Sequence, residues 1–104
     1  MSNTIPGKIV RRVIADILIE RSNAIDDACN IMIEKEMKEI GTITEYTGEV
    51  GWTACGTRVL ADDVLDGIMT IEEAVDTLTP AERREAKARC QKWLDEKSKY
   101  NIEK

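Results

Sequence analysis

The chain is predicted to be a single, mainly α-helical domain spanning residues 1–104: a long N-terminal helix, a loop or small β-hairpin, two short acidic helices, and a C-terminal helix packed back on the first. Three observations lead there. Arg12, Asp16, Glu20, Asn23, Asp27, Asn30, Glu34 and Lys38 follow one another at steps of three or four, the spacing of one helix face. Thr70–Glu73 and Thr79–Glu82 are capping boxes, in which a hydroxyl and a carboxylate satisfy each other's free backbone N–H groups at a helix start. The chain also has no Phe, only two Trp and two Tyr, and 34% charged residues. That is the composition of a globular domain with an aliphatic core.

The polar stripe keeps its phase through Arg21-Ser22-Asn23, so the first helix should run unbroken from about Lys8 to Ile40. Opposite it lie Ile9, Val10, Val13, Ile14, Ile17, Leu18, Ala24, Ile25, Ala28, Cys29, Ile31 and Met32. At about 1.5 Å per residue such a helix is roughly 50 Å long, against roughly 35 Å for the diameter of a compact domain this size. It must project, or be covered by a second chain. Gly41 stands where a helix end needs a residue tolerant of positive φ.

Residues 42–57 are rich in Thr and Gly, and Thr42–Thr47 could pair with Val50–Cys55 across Gly48-Glu49 as a hairpin. An ordered loop is the alternative, because the alternation of apolar and polar residues is poor. Thr57 can cap a helix carrying Val59, Leu60, Ala61, Val64 and Leu65, stopped by Gly67. Thr70 opens a second short helix through Leu78. Thr79-Pro80-Ala81-Glu82 opens the last, with a cap, a proline in the first turn and a glutamate at the third position. Its narrow apolar face is Ala86, Cys90, Trp93, Leu94 and Tyr100, with Lys97 among them, and it should run to about Tyr100.

Several kinds of chemistry lack their residues. With no histidine, the commonest general base and metal ligand is missing. Cys29, Cys55 and Cys90 are odd in number and widely spaced, as suits reduced thiols in a cytoplasmic protein. Lys8, Arg11, Arg12 and Asp16 interrupt the N-terminal apolar run, against a signal peptide or a membrane span. Gly51-x-x-x-x-Gly56-Thr57 has the glycine spacing of a phosphate loop but no lysine before the threonine. Cys55 lacks a base to activate it as a nucleophile. No enzyme activity, cofactor or bound metal is expected.

Charge is unevenly placed. Between Gly41 and Thr79 eight acids face Arg58 alone, while from Pro80 onward eight Lys and Arg face five acids. These surfaces either attract each other within the fold, or the acidic one docks on a basic site of another protein. On the second reading Asp62, Asp63, Asp66, Glu72, Glu73 and Asp76 form the partner-binding surface of a small acidic regulator or inhibitor. Its size and acidity suit an accessory protein of a phage or mobile element, with a nucleic-acid-binding protein as the kind of partner. Direct nucleic-acid binding by an acidic chain is disfavoured, and Glu82, Glu85, Asp95 and Glu96 interrupt the one basic face, Arg83, Arg84, Lys87 and Lys92.

Self-association is the other candidate role. Ala15, Ile19, Ile33, Met37 and Ile40 form a second apolar stripe on the long helix, which either meets a second chain or is covered by residues 42–55 folding back. Arg21 falls in the middle of the main apolar face, where a guanidinium must either snorkel out along its stem or meet a carboxylate. A carboxylate from the short acidic helices is the favoured source; one from a second chain would set the register of a homodimer.

Overall fold

The computed structural model describes residues 5–102, with side chains to Lys97, as four helices: α1 (Gly7–Glu39), α2 (Glu45–Leu65), α3 (Ile71–Asp76) and α4 (Pro80–Ile102). All eight residues of the α1 polar stripe are exposed. The helix ends where the glycine required it: Ile40 and Gly41 N–H donate to Glu36 O (2.8 and 3.1 Å), with Gly41 at φ +72°. The molecule measures 64 × 27 × 21 Å, with a radius of gyration of 18.1 Å. A compact chain of this length would have about 13 Å.

Residues 42–57 depart from expectation. No hairpin forms, and the first acidic helix is only the end of a 21-residue helix that starts at Glu45. Thr44 is its cap, accepting from Thr47 N–H. Thr57, expected as the cap, lies buried inside α2 and donates its hydroxyl to Thr53 O (2.8 Å). The reason is tertiary. Glycine costs about 1 kcal/mol per helical position relative to alanine, and Gly48, Gly51 and Gly56 hide the helix in the local sequence. Yet Thr47, Gly51, Ala54 and Ala61 share one face of α2, and small residues there let the backbone lie close to α1. A methyl group on Gly51 would sit 3.5 Å from Cys29 Sγ.

α1 and α2 form an antiparallel pair. Ser22 Oγ donates to Ala54 O (2.8 Å), Cys29 Sγ lies 3.5 Å from Thr47 O, and the Glu36 carboxylate accepts from Thr44 N–H (2.8 Å) and from the Thr47 hydroxyl. The core sits at one end of this pair. There Ile14, Ala15, Ile17 and Leu18 of α1 meet Ala61 and Val64 of α2, Ala74 of α3, and Leu78, with Ala86 of α4 packed against them. Each large aliphatic side chain buried there contributes about 1.5–3 kcal/mol.

The later helices start as their caps foretell. Thr70 and Glu73 form the complete capping box of α3. At α4, Thr79 N–H donates to Glu82 Oε1 (2.9 Å) and Glu82 N–H to Thr79 Oγ1 (3.2 Å). Gly67, at φ +77°, follows the end of α2. α4 packs back on α1 with Ala86, Cys90, Trp93 and Leu94 half-buried; Lys97 Nζ lies 5.5 Å from the Trp93 ring centroid. Tyr100, assigned to the same face, lies outside the described side chains.

Candidate functional site

The acidic residues gather where α2 ends and α3 begins. Asp62 and Asp63 lie in the last turn of α2 and Asp66 is its C-cap, while Glu72, Glu73 and Asp76 follow on α3. All are exposed except Asp63, which is half-buried. The carboxyl end of a helix carries partial negative charge, so acids in its last turn work against stability, by about 0.3–1 kcal/mol each. α2 has no basic residue in its last turn. Arg11 of α1 supplies the missing donor from outside, with Nη1 hydrogen-bonded to Val64 O (3.0 Å) and Met69 O (2.7 Å).

Among the described residues, none of the six acids forms an ion pair. The one base of the acidic segment, Arg58, instead donates to Asn23 Oδ1 (2.7 Å) and lies 3.7 Å from Asp26 on α1. Nor, among the described residues, do the acids pair with the cations of α4. Arg89 holds Glu20 through two hydrogen bonds (2.7 and 2.9 Å) and Glu85 through a third (2.9 Å), and Arg83 Nε donates to Val75 O (3.2 Å). Glu73 differs from its neighbours: it accepts from Thr70 N–H (2.9 Å), and that bond holds its pKa below the usual carboxylate value. Its first duty is structural.

Arg21 is satisfied within the chain, by a carboxylate from an unexpected place. Nε donates to Glu82 Oε2 (2.8 Å) and Nη2 to the other carboxylate oxygen, as well as to Thr77 O (3.1 Å). Glu82 thus caps α4 and ties it to α1 at once. The Arg21 hydrogen bonds pull the Glu82 pKa down from 4.5 to about 2, and the Arg21 pKa is raised in return. The capping box was visible in the sequence; its second use was not, because nothing local tells which distant helix a cap will face.

The second apolar stripe is divided. Ala15 is fully buried, Ile19 packs against the core and Ile33 is half-buried, whereas Met37 and Ile40 are 51% and 57% exposed. Trp52 (78%) and Val59 (58%) on α2 are exposed too; Trp52 fell in the expected loop or hairpin of residues 42–57, and Val59 was expected on the apolar face of a helix starting at Thr57. With the α2 helix drawn, a spacing of seven would have placed them on one face. Cys55 is exposed in mid-helix rather than at a helix start, and the Gly51–Thr57 spacing lies wholly within α2. No group of three or more metal-ligating side chains occurs among the described residues. No described helix is long and apolar enough to cross a membrane.

No protein-family model matches this chain, and no curated protein or solved structure matches it.

Proposed function

We propose that the chain is a non-enzymatic protein-binding regulator that presents the acidic end around Asp62–Asp76 to a basic surface of another protein. The observation that carries this reading is the position of Asp62, Asp63 and Asp66. They sit at the helix end where the backbone dipole opposes them; Arg11 there binds the Val64 and Met69 carbonyls rather than the acids, which form no ion pair among the described residues. Residues that break a local stability rule without an internal gain concentrate where a protein acts. A dense, exposed negative surface speeds encounter with a basic site and holds it in a salt-dependent way. A nucleic-acid-binding site is the natural target, since it displays such a basic surface to attract phosphate. An inhibitor from a phage or mobile element would suit this description.

The test is an affinity capture of the tagged chain from its native lysate at low and high salt, repeated with Asp62→Lys, Asp63→Lys, Glu72→Lys and Asp76→Lys combined. A stoichiometric basic protein, retained at low salt and lost both at high salt and in the variant, is the expected result. Glu73 is left unchanged because α3 needs its cap. Equal capture by the variant would remove the acids from the mechanism.

A further inference from the structure

We propose that the chain pairs with a second copy of itself through the flank of the α1–α2 hairpin that faces away from α3 and α4. Arg58, reaching across to Asn23 and Asp26, marks that flank. At about 100° per residue, Gly48, Trp52, Cys55 and Val59 of α2 fall on the same side, as do Ile33 and Met37 of α1. The residues that meet α3 and α4, among them Val10, Ile14, Leu60 and Val64, fall on the other. The flank is thus left uncovered by the chain's own later helices.

Its size fits a protein interface. Trp52, at 78% exposure, offers about 200 Å² by itself. With Met37, Ile40 and Val59, each more than half exposed, the apolar surface approaches the roughly 500 Å² that one partner contributes to an interface of about 800 Å² per side. Beside this apolar surface Arg58 is matched by Asn23 and Asp26 of α1, so its charge does not oppose a second copy.

Its shape fits a second copy in particular. Gly48 lies one helical turn before Trp52 on the same face, and nothing stands within 4 Å of where its side chain would begin. A two-fold axis passing α2 near Val50 and Gly51 lays Trp52 of each copy over the Gly48 gap of the other. The same axis carries Val59 to the far end of the second hairpin, where Met37 and Ile40 are exposed. Trp52 and Val59 then each meet a hole or an apolar neighbour, as an isologous interface requires. Asp62 of the acidic end borders this surface, lining one groove with Cys55, Arg58 and Val59; sedimentation of the chain alone reads the dimer and partner capture reads the acids, so the two proposals fail separately.

Sedimentation equilibrium on the full chain over a concentration series tests it. The wild type should sediment as a dimer. Trp52→Glu should weaken association by about 30-fold or more, as expected for a central tryptophan, and Gly48→Leu should do the same by filling the gap. Circular dichroism should show helicity unchanged in both, since each site is open to solvent. Ile31→Glu, on the opposite flank, should leave the dimer intact. A wild type that stays monomeric at millimolar concentration overturns the proposal. So does a dimer that survives both flank variants.

Discussion

The two halves of the α1–α2 hairpin are built from similar helices and differ in what lies on them. In the half nearer the N-terminus, α3 and α4 form a second layer, and Ile14, Ile17, Leu18 and Val64 are buried beneath it. In the half nearer the connecting loop no second layer is present among the described residues. There the buried residues are Ser22, Cys29, Thr47 and Ala54, small or polar, and joined across the helices by hydrogen bonds. Ala24, Ala28 and Ile31 continue the apolar face of α1 into this half and are exposed. Apolar periodicity therefore marks a face that can be covered; coverage depends on where the later helices lie. The Arg21–Glu82 pair stands at the boundary, tying the first turn of α4 to α1.

The comparison is broken most directly by truncating side chains on either side of that boundary. Leu18→Ala should lower unfolding stability by about 2–5 kcal/mol, as a cavity in a packed core does. Ile31→Ala, at 68% exposure, should stay within about 0.5 kcal/mol. Denaturant titration of the two variants checks both; equal losses would mean that the loop half is as well packed as the other.

Next in size is the boundary itself. Glu82→Ala removes both the α4 cap and the partner of Arg21, and should cost about 2–3 kcal/mol. Its pH dependence has a defined sign. The Glu82 pKa is lowered from 4.5 to about 2 by the Arg21 hydrogen bonds. The stabilisation is therefore complete above pH 4.5 and is lost as pH falls towards 2. Glu20, held by Arg89, and Glu36, held by Thr44 and Thr47, are lowered too and add to the trend in the same direction. Acid titration of stability should show a shallower loss for Glu82→Gln than for wild type.

A smaller effect sharpens the contrast in dynamics. Amide hydrogen exchange should be faster in the loop half, because little buried apolar surface resists its opening. Gly48→Ala places a methyl group in open space within a helix, so it should add up to about 1 kcal/mol and slow exchange in that half alone. The smallest change is Asp66→Asn. Removing an acid from the carboxyl end of α2 should raise stability by about 0.3–1 kcal/mol while weakening capture of a basic partner. A loss of stability instead would show that Asp66 has a structural partner.

How much could be read from the sequence follows the reach of each interaction. The polar stripe of α1, the Gly41 and Gly67 stops, and the Thr70 and Thr79 boxes all stood where the helices begin and end, because each acts within a few residues. The acids of the candidate surface were equally visible as residues. Their lack of ion pairs among the described residues was not, since it depended on Arg58 turning to Asn23 and Asp26, and on Arg89 turning to Glu20.

The sequence by itself determined a long first helix, its exposed face and the starts of α3 and α4, since periodicity and capping are local. Only the tertiary structure decided that residues 45–57 are helical. Their glycines and β-branched residues disfavour a helix in isolation, and the close approach to α1 through Thr47, Gly51 and Ala54 reverses that preference. It also decided which half of the hairpin owns a core and which carboxylate meets Arg21. Those outcomes rest on contacts between residues far apart in the chain, and no short window of sequence contains them.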